Sequence, residues 1–280
     1  MKPVSHGRKE SLASRAFACA GCIIILAVLA LRAGAQQPDG QPGQLPYAKD
    51  PANLPKALSN LQAGNYSSND VEIVARMGAT QAVPALEEQF KGTQDPEAKL
   101  KIANALVRLK DNDDTYLDYL AARAAEAVSR DEPDPFRHDE NGKVDPKQPS
   151  AEFVAWAAKR NLDAKSAFYQ IVLDDVGSTI ELATSQDKRA IPLLRKALSS
   201  RNAWVQQNAA VGLAVLGDKD SIALIIEACR NAPKEAASLI AESLVYFDDP
   251  DAQRAVDEYV PKDTAKVYRD ARATGKTPFR

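Results

Sequence analysis

The sequence predicts an all-α solenoid built from antiparallel helix pairs, and three observations carry that prediction. A segment that opens Asp187-Lys-Arg-Ala190-Ile-Pro-Leu-Leu returns 31 residues later as Asp218-Lys-Asp-Ser221-Ile-Ala-Leu-Ile. After a further 31 it returns as Asp249-Pro-Asp-Ala252-Gln-Arg-Ala-Val. A fixed period of this length marks units that bury an apolar face only by stacking on the next one. The apolar residues are rich in the strong helix formers Ala and Leu, with 6% aromatics and 13 Gly in 280 residues. Short alternating runs of Val, Ile, Tyr and Thr, the mark of strands, are scarce.

The chain divides as follows. Residues 1–35 carry a basic stretch to Arg15, an apolar run from Ala16 to Leu31, and Ala33-x-Ala35 before Gln36. That is the layout of a secretory signal peptide with cleavage after Ala35, which predicts a secreted or periplasmic protein. The alternative is an uncleaved membrane anchor at residues 16–31, although that run falls short of the ~20 residues a spanning helix needs. Residues 36–50 are Pro/Gly/Gln-rich and read as a disordered spacer.

The solenoid is expected over 51–273. Leu54, Leu58 and Leu61 define a helix stopped at Gly64. Asn69 is the expected N-cap of the next, which carries Val71, Ile73, Val74 and Met77 and stops at Gly78. In the second pair Ala82-Val-Pro84 parallels Ala190-Ile-Pro192, each Pro falling in a first helical turn where its missing N–H goes unused. Asp95 caps a helix with Leu100, Ile102, Leu106 and Leu109, and a third unit opens at Thr115. There the period breaks. Residues 131–149 are acidic and studded with Pro, and read as an inserted loop. Ser150 then caps a helix bearing Phe153 and Trp156, and a helix from Asp163 through Leu182 closes the interrupted unit. Units at 187–217 and 218–248 are the best formed, and a more polar one from Asp249 to Ala273 has the outer face a terminal repeat needs. Residues 274–280 read as a frayed tail.

In the fourth unit Ala190-Ile191-Pro192, Leu194 and Ala197-Leu198 are followed by Val205, Ala209-Ala210, Leu213 and Leu216-Gly217-Asp218. This pattern resembles the HEAT-type repeats of the phycobilisome-lyase-like class. The second unit shows it well and the fifth in part, with Ala223 in place of the Pro. The resemblance implies a right-handed HEAT/armadillo-like solenoid, here of about six pairs, whose second helices line a concave face that binds partners. Where the family pattern has an Arg after the Val of the second helix, this chain has Gln206.

Charge and chemistry narrow the function. The formal charge is −2, and without residues 1–35, which hold five basic side chains and one acid, it is −6. Binding a row of phosphates needs the opposite balance, which argues against nucleic acid. Of the two histidines, His6 lies in the signal and His138 in the inserted loop, so a metal centre built on His is not expected. Asp139-Glu-Asn141-Gly142 lacks the alternation of a calcium loop, and the acids at 131, 134, 139, 140 and 145 read as a solvated loop. Neither a Ser-His-acid triad nor a carboxylate dyad at Asp174-Asp175 or Asp248-Asp249 is expected. Cys229 aligns with Leu198 one period earlier and reads as a core position.

The expectation is therefore a non-enzymatic scaffold without cofactor, binding a protein or peptide of the cell envelope along its concave face. Asn104, Arg108, Trp204, Gln207 and Asn208 are its candidate contacts, with ordinary solvation or packing as the alternative for each. Two other readings stay open. One is an enzyme or accessory subunit holding a small ligand under the 131–149 loop. The other is an adaptor tethered to the membrane by an uncleaved N-terminus.

Overall fold

The computed structural model describes residues 51–109, 114–130, 133–138 and 144–273, all within one compact unit. The expected signal, spacer and tail lie outside the described residues. Helices pair as the period requires. First helices are α1 (Leu54–Gln62), α3 (Val83–Gly92), α5 (Asp114–Ser129), α9 (Ile191–Ala197), α11 (Ile222–Asn231) and α13 (Pro250–Tyr259). Second helices are α2 (Ser68–Arg76), α4 (Pro96–Leu109), α8 (Gly177–Thr184), α10 (Ala203–Val215), α12 (Lys234–Ala241) and α14 (Lys262–Ala273). Each second helix packs on its own first helix, and α2, α4, α8, α10 and α12 also pack in series. No described helix is long and apolar enough to cross a membrane.

The core between the two layers is aliphatic. Leu86, Leu106, Leu120, Leu194, Leu213, Ile225, Ile240 and Leu244 are fully buried, and so are Ala210 and Ala241 one period apart. Cys229 is buried in the same core, where burial pushes its thiol up to about 12. At that value it behaves as a small hydrophobe and not as a nucleophile.

Local chemistry explains the period. Asp187 and Asp249 accept backbone N–H groups of the turns they open, from Arg189 in the first case and from Asp251 and Ala252 in the second. Asp218 is used differently: it receives the Arg195 guanidinium at 2.7 Å, with Ser221 beside it. That charge-assisted contact ties the fourth unit to the fifth and holds the Asp218 carboxyl below the usual range. Gly64 and Gly78 end α1 and α2 in left-handed conformation, as the sequence suggested. Asn69, however, does not cap α2. Ser67 does, in a capping box with Asp70, whose carboxylate accepts the Ser67 N–H at 2.8 Å and also Asn60 Nδ2 from α1. Starting two residues earlier satisfies more donors than the Asn69 start.

Gly217 ends α10 at φ +67°, and one period earlier Gln186 occupies the same left-handed region at φ +61°. An L side chain there costs roughly 1 kcal/mol that glycine avoids. Gln186→Gly is thus expected to raise stability by about 0.5–1 kcal/mol, read as a higher urea midpoint at unchanged m-value.

The 131–149 region is where the structure corrects the sequence reading. Residues 133–135 carry no regular structure, but the described residues 136–138 and 144–149 are not a loop. They form an antiparallel ribbon of β1 (Phe136–His138) and β2 (Val144–Pro149), with Arg137 facing Asp145 and a bulge that sets Phe136 opposite Pro149. A two-stranded ribbon is all edge, so the prolines of β2 interrupt no ladder on a further side. Helices α6 (Ala151–Lys159) and α7 (Ala164–Ile171) follow, the first capped by Ser150 as expected and the second by Asp163. Phe136, Phe153 and Phe168 pack edge to face at 5.7 and 6.2 Å around Phe168, and Phe136 lies 5.3 Å from Trp204. These rings form an aromatic core of their own, separate from the aliphatic one. The insertion is a small folded body built on the interrupted unit.

The predicted single helix from Asp163 to Leu182 is interrupted too. Val172–Val176 is a π turn joining α7 to α8. The wider turn leaves carbonyls to be satisfied sideways. Asp175 O receives the Thr179 and Ser178 hydroxyls at 2.7 and 3.3 Å, and Val176 O receives Asn208 Nδ2 at 3.1 Å.

Candidate functional site

The second-helix layer is the surface from which partner contacts were expected, and its polar residues are mostly engaged with each other. Asn104 on α4 is buried and donates to Glu181 O at 2.6 Å and Thr184 Oγ1 at 2.9 Å on α8. Arg108, with a side chain 12% exposed, pairs with Glu72 on α2 at 3.1 Å. Asn208 is buried against the π turn. Trp204 is 3% exposed beneath Phe136, and Gln207, also 3% exposed, has its Oε1 buried without a hydrogen-bond partner among the described residues. The five side chains singled out from the sequence thus sit at seams between units or under the insertion. Gln206, in place of the family's Arg, donates to Leu198 O within its own unit at 2.9 Å.

Two carboxyls missed in the sequence stand out instead. Glu181, half-buried on α8, is pushed up to about 7 by burial. Lys101 and Arg108 oppose that shift, while Glu72 and Glu97 reinforce it. Glu242 follows α12 in the 3₁₀ turn Glu242–Tyr246. It is also pushed up to about 7 by burial, against the Tyr268 hydroxyl that donates to it from α14 at 2.9 Å. Around Glu181 the layer is charged: Glu72 with Arg76 and Arg108, and Lys101 with Glu97 at 2.7 Å. The signal in the sequence was a single acid inside an aliphatic run, Ile180-Glu-Leu182 and Ile240-Ala-Glu242-Ser-Leu.

These two groups set a pH dependence. A carboxyl raised from the ordinary range to about 7 favours the folded state while neutral. That contribution is complete below about 4.5 and is lost as pH rises through about 7. Thermal stability is expected to fall between pH 5 and 8, by roughly 2 kcal/mol per group after allowance for solvent screening. Glu181→Gln with Glu242→Gln is expected to flatten the profile, as measured by melting in a pH series.

A second polar centre roots the insertion. Arg123 on α5 meets Asp174 at 2.9 Å, Arg130 meets Asp175 at 3.4 Å and Asp174 at 3.9 Å, and Gln170 donates to Asp174 at 2.6 Å. The π turn brings both adjacent carboxylates toward these two guanidiniums. Asp175 is 1% exposed. Buried carboxylates and partly exposed guanidiniums, mutually compensated, form a fastening between the end of α5 and the π turn. Among the described residues no group of His, Cys, Asp and Glu is arranged to hold a metal ion.

Residues 178–245 match the family model for HEAT repeats. The matched span starts just after the π turn and ends in the 3₁₀ turn after α12, so it takes in α8 and most of the two best-formed units. No curated protein and no solved structure matches the chain. HEAT repeats commonly serve as protein-interaction scaffolds.

Proposed function

We propose that the protein is a non-enzymatic HEAT-repeat scaffold, exported to the cell envelope under the signal at residues 1–35, that holds a protein or peptide partner along its second-helix layer. The observation that carries this reading is the pair of half-buried carboxyls, Glu181 and Glu242, raised by burial, in a layer where Glu72, Arg76, Glu97, Lys101 and Arg108 are already paired with each other. Such a group gains most from a donor delivered by a partner that also excludes water. Lysine, arginine or exposed backbone N–H groups of an extended segment supply it. We read the repeats as the phycobilisome-lyase-like type, right-handed and about six pairs long, from the Ala190-Ile191-Pro192 and Leu216-Gly217-Asp218 pattern.

The test is capture from envelope extract at pH 7.5 with the wild-type chain and with Glu181→Gln/Glu242→Gln, melting curves serving as the control for folding. A stoichiometric partner held by the wild type and weakened about tenfold by the double variant is the expected result. A partner held equally by both would remove it from this layer. Absence of any partner would overturn the scaffold reading.

A further inference from the structure

Helix α6 packs Phe153 and Ala157 into the aromatic core of the insertion and leaves a second apolar face outside. Ala151, Val154, Ala155 and Ala158 recur at i, i+3, i+4 and i+7, the spacing of one helical face, and all are exposed, Val154 at 41%. Leu162 extends the apolar run past the helix end and is 45% exposed. It is held there by a C-terminal turn in which the Leu162 N–H bonds Ala157 O at 3.0 Å and the Asn161 N–H bonds Ala158 O at 3.1 Å. A surface helix of a solenoid is ordinarily polar on its outer side; this one is apolar on both.

Charge decides what fits there. Glu152 lies in the first turn of α6 and Lys159 in the last. Seven residues apart, they fall on the same flank of the exposed face. Both are exposed, and neither pairs with another charge among the described residues.

We propose that this face is covered by α6 of a second copy of the chain, the two helices running antiparallel about a two-fold axis near Ala155. Under that symmetry the same flank of both helices lies on one side of the pair, so Glu152 of each copy meets Lys159 of the other. One surface is then complementary to itself, which is the condition an isologous contact imposes. The alanines let the helix axes approach to the short end of the usual 8–10 Å range. An anionic bilayer would attract Lys159 and repel Glu152 alike, and a parallel two-fold pair would carry the two charged flanks to opposite sides, with no contact between Glu152 and Lys159. A contact made by one short helix per copy buries less than the ~1,600 Å² of a standard interface, so the dimer is weak and reversible. The proposal is independent of the second-helix reading, since neither Glu181 nor Glu242 takes part.

Sedimentation velocity of the chain across the micromolar range tests it. A monomer–dimer equilibrium is expected, weakened about tenfold by Lys159→Glu and likewise by Glu152→Lys, and restored by the two reversals combined. Val154→Asp, at an exposed position that folding does not need, is expected to abolish the dimer. A monomer at every concentration overturns the proposal, as does a dimer indifferent to the single reversals. Binding of the monomer through Val154 to phosphatidylglycerol vesicles, or to a stoichiometric envelope protein, overturns it as well. In either case the face would belong to another occupant.

Discussion

Gly212→Leu is expected to unfold the junction between the third and fourth repeats. A Cβ at Gly212 on α10 would lie 2.7 Å from Ala183 Cβ, 2.9 Å from Ala183 Cα and 2.9 Å from Leu194 Cδ1. The second of these is backbone, so relief requires α8 and α10 to separate and the Ala183 layer to open. Even Gly212→Ala should cost about 1–3 kcal/mol by overpacking, more than the ~1 kcal/mol of helix propensity it gains. The leucine variant should exceed that range and lose the cooperative melt. Gly177 is the control in the adjoining helix, because nothing lies within 4 Å of a Cβ placed there. Gly177→Ala should be neutral or slightly stabilising by the same urea titration. If both alanine variants behaved alike, close approach of α8 and α10 would not be what makes glycine necessary at 212.

Arg130→Ala is expected to cost about 1–3 kcal/mol, since the guanidinium is 29% exposed but the Asp175 carboxylate it leaves behind is buried. Arg130 is the guanidinium shared by Asp174 and Asp175. Its loss leaves two adjacent carboxylates in the π turn with less compensation and loosens the insertion from α5. Adding Asp175→Asn to Arg130→Ala should recover a large part of the loss, since the neutral amide fills the same volume without the charge. The double-mutant cycle measures this directly: a coupling energy of 1 kcal/mol or more is expected. Additive effects would mean that Arg130 acts through packing alone.

The solenoid was legible because its causes are periodic. Asp187, Asp218 and Asp249 recur for reasons of turn chemistry, and Leu213 and Leu244 recur because every unit buries the same layer. What was not legible has local or long-range causes without a period. Arg137 stands opposite Asp145 in the register of a ribbon whose short strands show no alternation. Nothing in Val172-Leu-Asp-Asp-Val176 marks a π turn, because the widening answers the partners of Asp174, Asp175 and Val176 on other helices. The candidate contacts Asn104, Asn208 and Trp204 were chosen as polar or aromatic residues on second helices. A second helix in a stack has neighbours on both sides, however, and α10 has the insertion across its first turn as well. Polarity at such positions reports bonds between units. The informative residues were single acids in aliphatic surroundings, Glu181 and Glu242, whose exposure depends on which helix lies next to them.

The π turn has a consequence for how this chain tolerates change in length. A π turn is an α-helical turn that holds one residue more, so the helix on either side of it keeps its own phase. Upstream, α7 directs Phe168 into the aromatic core; downstream, α8 directs Leu182 and Ala183 into the aliphatic one. The two cores impose separate demands on what is otherwise one rod, and Val172–Val176 is where a mismatch of a single residue is stored. The segment works as a phase coupling between two bodies that fold to different rules. The repeat array can therefore keep its 31-residue cadence while the body grafted onto it varies in length.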